Sequence, residues 1–409
     1  RLRCLVERAR AYTSFYRDLR PPSTHREPRE AIEKTLASIA PLEKEQYREN
    51  PASFLASDIP RHRLRTAKTS GTTGTPLPLW HTPETLAEEY ATVWRMRRSA
   101  GVALSDPHLT FGGRIIVPFR QKTPPFWRVN SYSRQTLFSL YHMAPGNLPH
   151  YVGAIHDAPA RYAEGYPSSL YLVAHALLDA GRALPAGRMA AVFTSSESLL
   201  AFHRTAIERA FGAPVRDRYG TSEFAVSMTG CEVNNLHVDS EFCAVEVEPA
   251  EDTVDYVRGP LLVTGLSNNA TCFLRYRIGD TATQLKGRCP CGRPGDVFSE
   301  IDGRTDDYVV TPDGRRIGRL DHIFKGQLDV AEAQILQEHE RTVTFLIVPR
   351  RSYNNASRKK LMKEIRGRLG TEIEVEIRLV DCIERGPGGK FRAVISRVGN
   401  GSKPGESSR

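Results

Sequence analysis

No run of 18 or more apolar residues interrupts this 409-residue chain, and such a run is what a membrane-spanning helix needs. The first thirty residues also lack the long apolar stretch of a secretory signal. No block of five residues is made only of lysine and arginine, although the formal charge is +10. The basic residues are interleaved with acids, so the charge argues for affinity toward small anions rather than for a nucleic-acid surface. No internal repeat is visible. Cysteine is sparse and uneven, with seven residues at 4, 231, 243, 272, 289, 291 and 382. A chain of this length needs no disulfides for a core, so a reducing cytoplasm is expected, and clustered thiols then point to metal rather than to cross-links.

A glycine-rich loop is present, but it lacks the expected lysine. "TSGTTGTP" places Ser70, Gly71, Thr72, Thr73, Gly74 and Thr75 in one turn, and it does not fit G-x-x-x-x-G-K-[ST]. Glycines permit close backbone approach to an anion, and hydroxyls supply neutral donors. Taken alone, the loop is either a phosphate cradle or an ordinary polar turn leading into a hairpin.

Composition is that of a globular protein, with 40% hydrophobic and 25% charged residues, and the length suggests two or three domains. "LRCLVERARAYTSFYRDL" has helical spacing and runs toward the prolines at 21 and 22. Thr82 and Pro83 open a second helix, which Gly101 ends. From 102 to 260 helical and short apolar runs alternate, which predicts an α/β fold with a largely parallel sheet. From 231 to 310 the texture is β-rich. Beyond Gly318, "TVTFLIVP", "SRKKLMKEIRGRLG" and "EIEVEIRLV" predict a small βαβ-like unit. The predicted domains are 1–305 with a β subdomain over 231–300, a lid over 306–398, and a polar tail over 399–409.

Four further motifs carry chemistry. In "DRYGTSEF", Tyr219 can stack on a purine and Glu223 can hold Mg²⁺, or they are a buried ring and a solvated acid. In "RYRIGD", Asp280 can accept from ribose hydroxyls or simply occupy a turn. In "GRTDD", Arg304 is a phosphate or ribose contact. In "GPGGKF", Lys390 follows three glycines, as a surface lysine or as a cation for an acyl phosphate.

The order of these five motifs resembles the adenylate-forming enzyme superfamily, and most closely its phenylacetate–CoA ligase and CapK-like branch. "FGGRIIVPF" and "EGYPSSLYLVAHALL" are similar to the CapK-like members, and the resemblance spans residues 1 to 398. It implies a large N-terminal domain with parallel sheets and a β-rich subdomain, plus a small mobile α+β domain. Ser70 to Thr75 would grip the ATP phosphates, with threonine at 75 where lysine is common. Ser196 and Glu197 would line adenine, Tyr219 would stack on it, and Gly220, Thr221 and Ser222 would lie near the α-phosphate. Glu223 would bind Mg²⁺, Asp280 the ribose, and Arg304 ribose or phosphate. Asp306 would be the hinge and Lys390 the adenylation lysine.

Phe111, Gly112, Gly113, Tyr141, His142, Gly165, Tyr166 and Pro167 would face a carboxylic acid, with the aromatics favouring an aryl or other planar one. The same branch implies structural zinc on Cys231, His237, Cys289 and Cys291, a closed four-ligand set. Cys243 and Cys272 read as core. The implied partners are a small carboxylic acid and a thiol or amine acceptor, with coenzyme A the commonest. Nucleic acid and membrane are not among them, and self-association into a homodimer stays open. Two other readings are an amide-forming ligase and a nucleotide-binding protein without catalysis.

Overall fold

A computed structural model describes residues 1–22, 28–68, 77–304, 309–312, 316–317, 320–324, 329–385 and 391–398. Contacts divide the chain into two compact units, Arg1–Gly303 and Arg304–Arg409. No helix of the described residues is long and apolar enough to cross a membrane.

The first unit opens with α1 (Leu2–Tyr12), α2 (Pro28–Ala37) and α3 (Lys44–Glu49). Leu2, Leu5, Val6 and Ala9 are the buried residues of α1, a helical stripe. This helix ends earlier than its spacing predicts, because the Thr13 hydroxyl bonds back to the Ala9 carbonyl at 2.7 Å and the Phe15 amide turns to the Ser53 carbonyl. A hairpin of β1 (Arg65–Lys68) and β2 (Pro78–His81) follows. Then comes α4 (Pro83–Ser99), capped by Thr82 and followed at the other end by Gly101 with φ +79°.

The main sheet is built from β3 (His108–Phe111), β4 (Trp127–Asn130), β5 (Gln135–Phe138), β6 (Tyr162–Gly165), β7 (Ala191–Ser195) and β8 (Val215–Gly220). Between them lie α5 (Leu148–Asp157), α6 (Pro167–Asp179) and α7 (Ala201–Phe211). Strands β5, β3, β6, β7 and β8 are parallel neighbours in that order, as helix-connected strands should be. On one face Phe111 and Phe138 of the sheet share a core with Tyr151 of α5, Leu170 of α6, and Ile207 and Phe211 of α7. On the other face Met96 and Val102 cover Tyr162 and Phe193.

The same sheet continues through β9 (Ser227–Gly230), β10 (Leu236–Val238), β11 (Cys243–Val247), β12 (Glu251–Asp252), β13 (Tyr256–Gly265), β14 (Tyr276–Leu285) and β15 (Val297–Arg304). Its order is β11-β13-β14-β15-β10-β9-β8, then the parallel strands, ending on β5 and β4. Four strand spacings separate β8 from β14, about 19 Å if the sheet were flat. Yet the Tyr219 hydroxyl on β8 lies 2.5 Å from Asp280 on β14. The sheet therefore curls back on itself, around a core that includes Tyr47, Phe54, Met228, Val263, Phe273 and Phe298.

In the second unit β16 (Val309–Val310) pairs with β17 (Arg316–Ile317). A four-stranded sheet combines β18 (Val330–His339), β19 (Thr342–Pro349), β20 (Glu374–Leu379) and β21 (Val394–Ser396). Helix α8 (Asn355–Leu369) joins β19 to the parallel β20, the expected βαβ crossover. The Asn354 side chain caps α8, and Leu361, Ile365 and Leu369 are buried along it. The α/β class with a small second unit agrees with the sequence reading.

Candidate active site and metal centre

Parallel register decides where the functional side chains meet. Phe111 pairs with Gly165, Gly165 with Thr194, and Thr194 with Asp217. The C-terminal ends of β3 and β6 are thus level, β7 runs one residue further and β8 three, and the segments leaving them carry Gly112 and Gly113, Tyr166 and Pro167, Ser196 and Glu197, and Thr221 to Glu223. The carboxyl ends of parallel strands are where open α/β sheets bind ligands. Two turns there hold non-glycine residues in the left-handed region, Ser196 at φ +72° and Phe224 at φ +54°, a strain that recurs at functional sites.

The curl of the sheet brings β14 to the same place. Gly279, at φ +90°, sets the backbone before Asp280, whose Oδ2 accepts from the Tyr219 hydroxyl. That bond fixes the edge of the tyrosine while its ring stays half-buried. Thr221 Oγ1 is buried without a hydrogen-bond partner among the described residues. Buried hydroxyls are almost always bonded, so this one is suited to a ligand oxygen.

Glu223 is only 5% exposed. Its negative charge, after burial itself, holds the Tyr47 and Tyr276 hydroxyls well above the usual phenol range. Asn268 bridges the Glu223 carbonyl and the Trp80 carbonyl, at 3.5 and 3.0 Å, and so ties this turn to β2. The ion pairs on the α4 side, Arg218–Glu89 at 2.6 Å and Arg97–Glu164, leave Glu223 out. A buried carboxylate outside these pairs is a fitting ligand for a hard cation.

Several predicted contacts have a different immediate role. Phe111 is 0% exposed and stacks on Phe138 at 4.7 Å, so its ring belongs to the core and not to a cleft wall. Gly165 is required by packing, since a Cβ there would meet Phe111 Cβ and the Phe111 carbonyl oxygen at 2.6 Å. Glu197 Oε2 accepts from the Ser168 amide at 3.1 Å and thereby caps α6, whose first residue is the buried Pro167. His142 is buried on Phe126, with Nδ1 2.7 Å from Ser139 Oγ. Tyr141 and Tyr166 are half-buried. The Tyr141 hydroxyl donates to the Gly113 carbonyl at 3.2 Å, and burial raises the Tyr166 phenol. The glycine loop residues Ser70, Gly71, Thr72, Thr73, Gly74 and Thr75 lie outside the described residues, as do Asp306 and Lys390. Arg304 is described only as the last backbone position of β15.

Sequence reasoning missed Asp217. Burial pushes its carboxyl up to about 6, opposed by the Thr194 hydroxyl that donates to it at 2.6 Å. Its place two residues before Tyr219, on a strand ending at the site, was the available signal. It also missed Arg97, which pairs with Glu164 and lies against the Trp94, Tyr162 and Phe193 rings.

A second constellation sits at the far ends of the antiparallel strands. Cys231 follows β9, His237 lies on β10, and Cys289 and Cys291 precede β15. Their donor atoms all lie within 4.8 Å of one another. Cys231 and Cys289 sulfurs are 3.8 Å apart, and Cys291 Sγ is 3.2 Å from His237 Nε2. A tetrahedral ion at about 2.3 Å from sulfur and about 2.0 Å from nitrogen spaces its donors roughly 3.5–3.8 Å apart. Residue types and spacing therefore fit a closed, structural site. Cys243 and Cys272 are core residues, and burial pushes both thiols up to about 12.

Comparison with known proteins places this architecture. Residues 309–397 match the CapK C-terminal domain family. The protein CapK of Staphylococcus aureus is 27% identical over 373 residues, covering 89% of this chain and 81% of that protein. A 2-hydroxyisobutyryl-CoA ligase structure, in the postadenylation state with an acyl-AMP, superposes with TM-score 0.71 at 20% identity, covering 97% of this chain and 88% of the other. ATP-bound MatB from Rhodopseudomonas palustris gives TM-score 0.51 at 17% identity, covering 79% and 65%. The chain has the fold of the adenylate-forming ligases. In sequence it is similar to CapK.

Proposed function

We propose that the chain is an acyl-adenylate-forming ligase. The observation that carries the reading is the convergence of Tyr219, Thr221, Glu223 and Asp280 where β8 ends and β14 curls over it. In this reading the Tyr219 ring stacks on adenine and Asp280 accepts from the ribose hydroxyls. The Thr221 hydroxyl meets a phosphate oxygen. Glu223 would hold Mg²⁺, which would neutralise phosphate charge. Ser70 to Thr75 bind the outer phosphates through backbone and hydroxyl donors, and Arg304 assists at ribose or phosphate. The acid lies against Gly112, Gly113, Tyr141 and Tyr166, and the two aromatics favour an aryl or other planar acid.

Lys390 stabilises charge as the carboxylate oxygen attacks the α-phosphorus. The bond from α-phosphorus to the bridging oxygen breaks, and pyrophosphate leaves. No general base is needed, because the nucleophile is already ionised. A thiol such as coenzyme A, or an amine, then attacks the acyl carbon and releases AMP. The 2-hydroxyisobutyryl-CoA ligase has been crystallised with both an acyl-AMP and CoA, which supports a thiol acceptor first. Cys231, His237, Cys289 and Cys291 would hold zinc as a structural ion. Such thiolates suit a reducing cytoplasm.

The test is a panel of carboxylic acids assayed for acid-dependent pyrophosphate release with ATP and Mg²⁺. The best acid is then repeated with CoA, with amines and with neither. Release with at least one acid is expected. Binding of ATP with no release across the panel would favour a non-catalytic nucleotide-binding protein.

A further inference from the structure

From Pro107 to His156 the chain contains no aspartate or glutamate, although 47 of its 409 residues are acidic. The same stretch carries Arg114, Arg120, Lys122, Arg128 and Arg134, and all five are exposed. None has an acidic partner among the described residues. Arg128 donates to the Pro125 and Trp127 carbonyls and to Gln121 Oε1, and Arg134 donates to the Ser105 carbonyl. Elsewhere on the first unit exposed arginines such as Arg1, Arg3 and Arg48 hold carboxylates. Asp106, at the border of the stretch, accepts from the Ala103 amide at 2.8 Å.

Apolar exposure is concentrated in the same place. Among the described residues six large apolar side chains are 60% exposed or more, and five of them are Leu104, Ile115, Phe119, Val129 and Tyr132, the last at 98%. Single exposed apolar side chains need no account, but a local group of them marks an interaction surface. Local structure holds them outward. Strand β4 is the outer strand of the main sheet, and its turn into β5 carries Tyr132. Arg134 ties that turn to Ser105, next to Leu104. The loop from Gly112 to Phe126 leads from β3 to β4 and is pinned by the fully buried Val117 and Phe126. Within it the Gln121 amide donates to the Pro118 carbonyl, and Gln121 Nε2 donates to the Thr123 and Pro125 carbonyls. A braced loop therefore presents Ile115 and Phe119, and the Phe119 ring meets the Tyr141 ring edge-on at 5.0 Å.

We propose that this edge of the first unit docks on an anionic lipid bilayer. The family resemblance does not imply such a partner. Apolar side chains enter the interface, while Arg and Lys heads stay at the phosphates with their stems along the lipid. Tyr132 suits the same depth, where amphipathic rings collect. The uniform sign of charge selects the bilayer over other occupants. A layer of anionic headgroups is negative throughout, so every carboxylate on the facing side would be repelled. A protein partner presents charges of both signs, and a face fitted to it would keep acids among its cations. A second copy of this chain would set like charges against one another, which opposes association. The proposal does not depend on the adenylation reading, because lipid binding is measured without ATP or acid.

The full chain is sedimented with vesicles of phosphatidylcholine alone, and with vesicles of equal parts phosphatidylcholine and phosphatidylglycerol. Binding to the second and not to the first is expected at about 0.1 M salt. It should weaken at about 1 M, where the Debye length falls from about 10 Å to about 3 Å. Each cation near such a surface adds roughly fivefold to affinity, so Arg120→Ser with Lys122→Ser should lose roughly 25-fold. Val129→Ser with Tyr132→Ser should lose about 10-fold or more, the scale of apolar side chains leaving water. Lys359→Ser with Lys363→Ser removes the same charge from α8 of the second unit and should bind as wild type. All three pairs are exposed, so melting temperatures should match the wild type and show that the variants fold. Equal losses in the α8 pair and the loop pair would make the attraction that of the whole +10 chain and refute the docking edge. Unchanged binding of the Val129 and Tyr132 variant would refute apolar contact with the bilayer. No binding to anionic vesicles overturns the proposal, and binding to soluble poly-glutamate in its place would assign the surface to an acidic protein.

Discussion

The Tyr219 hydroxyl donates to Asp280 Oδ2 at 2.5 Å, joining two strands that are four places apart in one sheet. The pair holds a ring for stacking and a carboxylate for hydroxyl groups in one frame. Asp280→Ala should weaken ATP binding by roughly 10–100-fold, the scale of about 1.5–3 kcal/mol for hydrogen bonds to a charged group. Tyr219→Phe keeps the ring and should lose less, while Tyr219→Ala should lose more. Isothermal titration with ATP and Mg²⁺ checks the ranking, and equal losses for the two tyrosine variants would remove the stacking role.

Glu223 is buried outside the ion pairs of its face. Glu223→Gln should keep the fold and retain nucleotide binding, but lose pyrophosphate release by about 10²-fold or more, the usual cost of one electrostatic contact to a transition state. A titration of Mg²⁺ at fixed ATP should show the requirement shifted upward. An unchanged Mg²⁺ dependence would take the cation away from Glu223.

Asp217 gives a pH prediction with a definite sign. Its folded pKa of about 6 stands above the unfolded value of 3.8. Between these values the folded state holds a proton that the unfolded state has released. Its contribution to stability is thus full below about pH 4 and is lost as pH rises through about 6. Asp217→Asn should raise the melting temperature at pH 7.5 and have much less effect at pH 4. Equal effects at both pH values would contradict the raised carboxyl.

Removal of Gly165 separates packing from substrate contact. Gly165→Ala places a methyl 2.6 Å from two atoms of Phe111, an overpacking worth about 1–3 kcal/mol. Melting temperature should fall whatever acid is supplied. A stable variant with altered acid preference would instead make Gly165 a specificity residue.

The metal centre predicts its own composition. Protein purified without added metal should contain close to one zinc per chain. Cys289→Ser should lose the metal and several degrees of melting temperature, because binding to the folded state alone is folding energy. Less than half an equivalent in the wild type would argue against the site.

What could be read from the residues follows the range of the forces involved. Thr82, Pro83 and Gly101 mark a helix through local hydrogen bonds and backbone freedom, and α4 has those bounds. Tyr219, Glu223 and Asp280 each admit a structural reading singly, and they stand out through the order of the five motifs. The grouping of three thiols and a histidine is what the family resemblance implies, but their distances required the fold. Phe111, Gly165 and Glu197 were legible as neighbours of a site but not in their roles. Their partners, Phe138, Phe111 Cβ and the Ser168 amide, lie 27, 54 and 29 positions away. The curl that delivers Asp280 to Tyr219 is likewise a property of the whole sheet.

The central claim is reversible transfer of an adenylyl group from ATP to a carboxylate. It is tested most directly by exchange of labelled pyrophosphate into ATP in the presence of single acids. The account predicts exchange that requires both Mg²⁺ and a particular acid, and that is lost in Lys390→Ala and Glu223→Gln. ATP binding without exchange for any acid, or exchange undiminished in both variants, would contradict it.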